Sequence, residues 1–206
     1  MKKVAHFVGM VGLLAATVGA PCLGQVQTSS CCAALLVIDV QSGWLGPGAV
    51  TVDQVRVQDK IAEILDVARP SGIPILFIVD VSTRAVHSEY YLALADPLEV
   101  LEGDLLIEKQ HPNAFTQTTL DERLRAMGIS TLIVTGFASD ACVRATVNGA
   151  RYKHYDIIIV EDGHSGGDGG QTAARQNDAW REMDLVVMPS AEIDSAALCS
   201  TREDAE

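Results

Sequence analysis

The stretch ISTLIVTGFASDACVRATVNGAR, residues 129–151, decides the fold of this chain. Residues 131–135 form a short β-branched apolar run, which is typical of a buried strand, and Gly136 ends it. Ser139 or Asp140 can then cap a helix. The predicted apolar face of that helix recurs at steps of four and three and consists of Val143, Val147 and Ala150. The stretch therefore predicts a central strand followed by a helix.

Cys142 falls in the first turn of this predicted helix. The backbone N–H groups there are unpaired and the helix dipole is positive, so the position favours a thiolate. Several hydrolases also present their attacking atom in this way, on a nucleophile at a helix start that follows a strand and a tight glycine turn. The alternative interpretation is a small buried cysteine behind a strand, because free cysteine is among the most buried residue types.

Length, composition and charge limit the class of protein. The 206 residues, of which 48% are hydrophobic, suffice for one globular domain with a sizeable core. The formal net charge of −12 argues against a nucleic-acid partner, because no basic patch could dominate the field of the phosphates.

The N-terminus has the pattern of a secretory signal. Lys2 and Lys3 precede residues 7–20, which are apolar and include many small residues. Pro21 disfavours cleavage directly before it, so we expect cleavage after Gly24. The apolar run is short for a membrane span, and an uncleaved anchor is the alternative.

We therefore divide the chain into a signal peptide over residues 1–24, a linker over residues 25–32 and a single domain over residues 33–206. The expected location is periplasmic or secreted, with no membrane association after cleavage of the signal.

The five cysteines do not form a disulfide framework for a domain of this size. Cys31 and Cys32 stand side by side at the edge of the predicted domain, and Cys199 lies in the tail. Two possibilities remain open for these three cysteines. Either Cys199 forms a disulfide with Cys31 or Cys32, or all three are free thiols. Cys142 stands alone, which suits a free thiol.

Strand and helix patterns alternate along the chain. Residues 161–170 are rich in glycine but lack the residue order of a phosphate-binding loop, so they predict a flexible loop. Apolar runs predict strands over residues 33–40, 74–81, 104–109, 131–135, 156–160 and 185–188. Helical spacing predicts helices over residues 53–69, around 120–127, in the segment that has Cys142 in its first turn, and over 172–183. This alternation implies an α/β fold whose mostly parallel sheet is covered by helices on both faces.

Three chemically active side chains follow three of the predicted strands. Asp39 lies at the carboxyl end of the first, Lys109 ends the third and Cys142 follows the fourth. Ligands bind beyond the carboxyl ends of the strands in an open parallel sheet. Taken singly, Asp39 could cap a turn and Lys109 could be a solvated strand end. Together they bring an acid, a cation and a thiol to one edge of the sheet.

These groups suit acyl transfer through a thioester. A thiolate is the nucleophile. The carboxylate can take its proton and later pass it to a leaving amine, and the lysine holds the negative charge in place. Backbone N–H groups at the helix start can bind an oxyanion.

Three blocks of sequence resemble the isochorismatase-like cysteine hydrolases, a family whose amidohydrolase branch is related to the nicotinamidases. The blocks are LLVIDVQ at residues 35–41, IEKQHPNAF at residues 107–115 and TGFASDACV at residues 135–143. The resemblance covers nearly all of the chain after the predicted signal. It implies a three-layer, Rossmann-like α/β/α sandwich with a six-stranded parallel sheet, assembled as dimers or tetramers.

The resemblance also implies the parts of the site. Asp39, Lys109 and Cys142 match the catalytic triad of the family. A cis peptide between Phe137 and Ala138 is implied as well. It would orient the N–H of Ala138, together with that of Cys142, into an oxyanion hole.

Departures from the family narrow the expected reaction. Isochorismatases that cleave a vinyl ether resemble this chain but lack the cysteine, so Cys142 favours hydrolysis of a carbon–nitrogen bond. Metal-binding nicotinamidases carry an Asp-x-His and further histidines after the second strand. Here Asp80 has no histidine two residues later, and His87 is alone. We therefore expect no metal and no other cofactor.

The expected function is hydrolysis of a small amide, imide or ureido compound by a cysteine amidohydrolase. Trp44 and Phe115 are candidate walls of the substrate pocket because such pockets are mostly apolar, and ordinary packing is the alternative for both. One alternative function is vinyl-ether hydrolysis, and another is a non-catalytic binding or redox-sensing protein with Cys142 as a reactive thiol. The apolar residues 90–94 could be buried between subunits.

Overall fold

A computed structural model of the chain describes residues 32–43, 52–82, 84 and 93–194. Several features predicted from the sequence lie outside the described residues: the signal peptide, most of the linker, most of the segment 90–94, and Trp44, His87, Cys31 and Cys199.

Six strands form one parallel sheet, as predicted. In chain order they are β1 Ala33–Ile38, β2 Ile75–Asp80, β3 Leu105–Lys109, β4 Thr131–Phe137, β5 Asp156–Ser165 and β6 Val186–Met188. Their order across the sheet is β3-β2-β1-β4-β5-β6, and every pairing is parallel.

Within the described residues, four α-helices connect strands. They are α1 Val52–Ala68, α2 Leu120–Ala126, α3 Arg144–Tyr152 and α4 Gln171–Arg181. A π-helical turn, Ser139–Val143, precedes α3, and a 3-10 turn, Ser190–Glu192, follows β6. Within the part of the chain that the structure describes, no helix combines the length and the apolarity needed to cross a membrane.

The helices cover both faces of the sheet because the central strands are apolar on both faces. Leu35 and Val37 of β1 pack in one buried cluster with α1, whereas Leu36 and Ile38 point to the opposite face. The second cluster includes residues of α2, α3 and α4: Leu120, Leu124, Val147, Ala150 and Trp180. The result is the three-layer α/β/α arrangement.

The strand β4 continues past the glycine that was expected to end it. Gly136 pairs with Ile38 of β1 and with His164 of β5. Its φ is +122°, and a Cβ at this position would lie 2.0 Å from the carbonyl oxygen of Ile38. Only glycine therefore allows β4 to stay paired at this point.

The prediction of a flexible loop over residues 161–170 is wrong for its first half. β5 leaves its pairing with β4 after Ile159 and pairs again at His164 and Ser165. On β4 the partner advances only from Val134 to Gly136, so the intervening residues of β5 form a bulge. The return of β5 brings His164 next to the end of β4.

The strand order places a switch point between β1 and β4. The chain runs outward from β1 to β2 and β3 on one side, and from β4 to β5 and β6 on the other. Open α/β sheets bind ligands beyond the carboxyl ends of the strands at such a point. Asp39 directly follows β1 and the turn that contains Cys142 follows β4, so the two residues flank it.

Candidate active site

Asp39 stands where β1 ends at the switch point. Its backbone is left-handed, with φ 52°, a conformation that aspartate tolerates better than most other residues. The side chain is buried, and its Oδ1 has no hydrogen-bond partner among the described residues. A buried carboxylate oxygen of this kind is costly unless a ligand or a reacting proton pairs with it.

Lys109 is at the centre of a charged cluster. Its side chain is fully shielded from solvent. Its Nζ lies 2.7 Å from Asp39 Oδ2, 3.3 Å from Asp80 Oδ2 and 3.4 Å from Cys142 Sγ. Three acceptors match the three donors of an ammonium group. The structure thus brings Asp39, Lys109 and Cys142 together.

Cys142 lies in the π-helical turn rather than in the first turn of an α-helix. Ala138 precedes that turn as its N-cap, so the prediction that Ser139 or Asp140 caps the helix is wrong. π-helical turns are rare in proteins, and those that occur often lie at functional sites. This one places the Cys142 sulfur beside Lys109 and within 4.8 Å of a carboxylate oxygen of Asp39.

The surroundings of Cys142 keep its thiol protonated. Burial, and then the charge and hydrogen bonding of Asp39, raise the pKa of Cys142 to about 12, against the opposing effect of Lys109. The expectation of a resting thiolate is therefore wrong, because the nearby carboxylate and the burial outweigh the favourable helix start. The thiol needs a base, and Asp39 is adjacent to it.

Asp39 and Lys109 form an ion pair with distinct tasks. Burial raises the pKa of Asp39, and Lys109 only partly offsets this. Burial acts to lower the pKa of Lys109, but the negative groups around it, Asp39 foremost, outweigh burial and raise that pKa. A raised pKa makes Asp39 a better proton acceptor, while Lys109 remains a cation.

Asp80 also belongs to the cluster, although from the sequence it was considered only as the aspartate of an incomplete Asp-x-His pattern. It ends β2, and Gln41 fixes its backbone: the Asp80 N–H donates to Gln41 Oε1 at 2.7 Å, and Gln41 Nε2 donates to the Asp80 carbonyl at 3.1 Å. Burial acts to raise the pKa of Asp80, but hydrogen bonds from Ser82 and the charge of Lys109 lower it overall. Its position at a strand end is the signal that could have identified it.

The backbone before the π-helical turn supplies the N–H group predicted to bind an oxyanion. The peptide between Phe137 and Ala138 is cis, the isomer that the family resemblance implies. The Ala138 carbonyl accepts the N–H groups of Ala141 at 3.0 Å and Val143 at 3.2 Å. The Ala138 N–H itself has no acceptor among the described residues, and Ala138 lines the same cavity as Cys142.

A cavity of about 300 Å³ is lined in part by Cys142. The described residues that line it are Asp39, Gln54, Asp80, Phe137, Ala138, Ala141, Cys142 and Gly166. Gln54 and Gly166 were not expected from the sequence. The start of α1 is fixed beside the cavity by a hydrogen bond from Ser165 of β5 to Asp53. The volume suits a small-molecule substrate.

Phe115 lies elsewhere. Its ring stacks on that of Tyr155, with centroids 5.8 Å apart, and the Lys153 ammonium lies 5.8 Å from its centroid. It lines a separate cavity of about 350 Å³ next to α3. The structure therefore corrects the prediction that Phe115 forms a wall of the substrate pocket, and ordinary packing describes this residue. The role of Trp44 stays a prediction.

The acidic groups of the cluster surround an ammonium rather than a vacant metal position. Asp39, Asp80 and Cys142 each offer one ligand atom, all within 4.8 Å of one another. The Lys109 Nζ lies within 3.4 Å of an acceptor atom on each of them. A divalent cation in this space would meet that fixed positive charge and would also require a deprotonated thiol. The residues fit an ammonium group better than a metal ion.

An uncharged hydrogen-bonded chain supports the turn from its other side. Asn177 Nδ2 donates to the Glu161 carbonyl at 3.0 Å, so its Oδ1 accepts from His164 Nε2 at 2.8 Å. The other ring nitrogen, Nδ1, then accepts from the Ser139 hydroxyl at 2.8 Å. Burial lowers the pKa of His164, which keeps the ring neutral. The Trp180 ring packs edge-on against it at 5.2 Å.

Comparison with known proteins places these features in a family context. The family model of the isochorismatase domain matches residues 33–192, which include β1, the 3-10 turn and all four residues of the charged cluster. The chain is 26% identical over 174 residues to the ureidoacrylate amidohydrolase RutB of Methylobacterium radiotolerans, a match that covers 65% of this chain and 67% of that protein.

Two solved structures are similar over most of their length. An isochorismatase from Pseudomonas putida KT2440 is 32% identical with a TM-score of 0.69, covering 80% of this chain and 90% of that one. The N-carbamoylsarcosine amidase from Thermoplasma acidophilum is 27% identical with a TM-score of 0.68, covering 78% of this chain and 98% of that one.

Proposed function

This chain is a hydrolase that belongs to the isochorismatase domain family, and from that premise we propose that it is a cysteine amidohydrolase. It cleaves a carbon–nitrogen bond of a small amide, imide or ureido compound. The observation that carries the proposal is the contact of Lys109 Nζ with Asp39 at 2.7 Å and with Cys142 at 3.4 Å, beside a cavity of substrate size.

In the first half of the reaction, Cys142 Sγ attacks the carbonyl carbon while Asp39 accepts the thiol proton. The carbonyl oxygen becomes an oxyanion that the N–H groups of Ala138 and Cys142 bind. Asp39 then gives the proton to the leaving nitrogen. The carbon–nitrogen bond breaks, and the leaving group departs as ammonia, as an amine or, from an imide, as an amide. The acyl group stays on Cys142 as a thioester, which is a thiocarbamate when the substrate is a ureido compound.

In the second half, water attacks the thioester carbon and Asp39 accepts a proton from that water. The carbon–sulfur bond breaks, the acid is released, and the proton returns to the Cys142 sulfur. Lys109 remains protonated throughout and stabilises both the Asp39 carboxylate and the developing thiolate.

Ammonia release from a panel of small primary amides and ureas, with a chelator present, tests this function. We expect Cys142→Ala to lose at least about a thousandfold in rate because the nucleophile is gone. Cys32→Ala is the matched control, since Cys32 lies at the opposite end of β1 from Asp39, and it should keep the wild-type rate.

Two outcomes would contradict the proposal. Equal ammonia release by Cys142→Ala would refute the cysteine mechanism. No release from any amide or urea by folded protein with a reactive Cys142 would favour vinyl-ether hydrolysis or thiol sensing.

Export and assembly are further parts of the proposal. The support for export is the Lys2–Lys3 pair followed by the apolar residues 7–20, and the support for a dimer or tetramer is the family resemblance. N-terminal sequencing of protein from its own cells tests cleavage, which an intact Met1 would contradict. Light scattering tests assembly, which a monomer would contradict.

A further inference from the structure

Resting on the proposed function, we propose that the cavity selects amides and ureas whose far end is uncharged or cationic and discriminates against those that carry a carboxylate. Asp80 is the residue that we assign to this discrimination.

The charge beside the cavity is negative. Asp39 and Asp80 both line the cavity, whereas the Lys109 side chain is fully buried behind them. The Lys109 ammonium contacts both the Asp39 and the Asp80 carboxylates, but its one positive charge can balance only one of them. The protonated Cys142 thiol adds no charge. A substrate carboxylate would therefore approach uncompensated negative charge in a partly buried place, where such repulsion is strong.

No other described cation compensates this charge. None of the described residues that line the cavity is lysine or arginine. Arg84 is paired with Glu108 at 2.5 Å. Arg144, the arginine closest in sequence to Cys142, is exposed and is not among those lining residues.

This charge distribution differs from what an anionic substrate requires. Ureidoacrylate and N-carbamoylsarcosine, the compounds in the names of two similar proteins, each carry a carboxylate. Recognition of a carboxylate normally uses arginine, lysine or converging N–H donors. Apart from Asp39 and Cys142, the polar side chains among the described residues that line the cavity are those of Asp80 and Gln54.

A pair of alkylating reagents measures the charge preference without turnover. Iodoacetamide and iodoacetate have the same shape and react with the same sulfur, but only iodoacetate is an anion. Peptide mass spectrometry of the full chain gives both rates at Cys142. Their ratio, divided by the ratio for the uncharged thiol N-acetylcysteine amide, cancels the reactivity of the sulfur. We expect a corrected preference of at least about tenfold for iodoacetamide.

Asp80→Asn tests the assignment to that residue. Asparagine keeps the shape and an acceptor for the Ser82 N–H but removes one charge, so the corrected preference should fall about tenfold. Glu108→Gln is the matched control, because it removes a carboxylate from the neighbouring strand β3. That carboxylate pairs with Arg84 and does not line the cavity. It should leave the preference unchanged.

Three ureas of equal length then test selection during catalysis. They are (2-hydroxyethyl)urea, (2-aminoethyl)urea and ureidoacetate, compared by kcat/KM for ammonia release. We expect kcat/KM for ureidoacetate to be at least about tenfold lower than kcat/KM for either of the other two ureas. Ureidoacetate as the best substrate, or a corrected alkylation preference of one or less, would overturn the inference and leave the proposed function standing.

Other outcomes separate the two proposals. No hydrolysis of any amide or urea, with a reactive Cys142 that still prefers iodoacetamide, would refute the proposed function and support the charge discrimination. A folded protein that hydrolyses no amide or urea and whose Cys142 reacts with neither reagent would overturn both. An unchanged preference in Asp80→Asn would remove the assignment to Asp80.

Discussion

The two sides of the π-helical turn that contains Cys142 are built in opposite ways. On the cavity side, Lys109 and the carboxylates of Asp39 and Asp80 surround the sulfur, and Asp39 Oδ1 has no partner among the described residues. On the other side, the Ser139 hydroxyl continues into an uncharged chain through the ring of His164, both of whose nitrogens are paired.

This difference separates reactivity from support. An unpaired buried oxygen costs stability, and the cavity side retains one where a reacting proton can pair with it. A fully paired buried network rigidifies the structure around it. We therefore interpret the charged cluster as the part that moves protons and the Ser139–His164–Asn177 chain as the part that positions the turn. Three substitutions test this comparison.

Lys109→Met should have the largest effect. It removes, at nearly constant side-chain length, the cation that contacts the buried Asp39 carboxylate and the half-buried Asp80 carboxylate. We expect the free energy of unfolding to fall by about 3–5 kcal/mol. Hydrolysis should fall by at least about a hundredfold, since the Asp39 carboxylate and the developing thiolate lose their counter-charge. Urea unfolding and ammonia release measure the two effects.

Lys60→Met is the control for that substitution. Lys60 forms an exposed pair with Glu63 on α1, and such pairs contribute little, so stability and activity should match those of the wild type. A Lys109→Met protein as stable as the wild type would mean that the charged cluster does not depend on its cation.

His164→Leu should have the next largest effect. The Ser139 hydroxyl and Asn177 Oδ1 would remain buried without their partner, so we expect a loss of about 3 kcal/mol at pH 8. A loosened turn should lower kcat about tenfold while KM changes less, because the residue acts through the position of Cys142. Denaturant unfolding and steady-state kinetics measure the change, with the exposed His154→Asn as control.

The pH dependence of this loss distinguishes a neutral ring from a charged one. Burial lowers the pKa of His164 below its ordinary value of 6.5, so below that pH the unfolded chain binds a proton that the folded protein does not. The histidine contribution is thus complete above about pH 6.5 and is lost as the pH falls toward the folded-state pKa. The stability gap between wild type and His164→Leu should narrow in acid, and a widening gap would contradict a neutral His164.

Ser139→Ala should have the smallest effect. It removes one neutral hydrogen bond to His164, which corresponds to about 1 kcal/mol of stability. Ser139→Thr keeps the hydroxyl and should restore both stability and kcat. A kcat unchanged in Ser139→Ala would sharpen the comparison in another way, by showing that the uncharged chain stabilises the fold without positioning Cys142.

Much of the fold could be predicted because parallel central strands are buried on both faces. β1, β2 and β4 therefore appear in the sequence as continuous apolar runs. The second half of β5 could not be predicted in this way. Its residues include Glu161 and Asp162 and form a bulge, and the strand resumes only because Gly136, on another strand, pairs with His164.

The residues of the candidate site also fall into those that the sequence could predict and those that it could not. Asp39, Lys109 and Cys142 could be predicted to meet because each ends or follows a strand of one parallel sheet. Asp80 obeys the same rule, although from the sequence it was considered only as part of an incomplete Asp-x-His pattern. Gln54 could not be predicted, because its place at the cavity depends on where α1 packs. Phe115 lies in a block that the family resemblance covers, yet it packs against Tyr155 away from Cys142.

The sequence by itself determined the order of strands and helices and which acid, cation and thiol end those strands. These properties depend on neighbours along the chain, and such neighbours leave periodic patterns that can be read locally. Only the tertiary structure decided that the Cys142 thiol rests protonated and that His164 supports its turn. Protonation and hydrogen bonding depend on burial and on distances through space between residues far apart in sequence, such as Asp39 and Cys142.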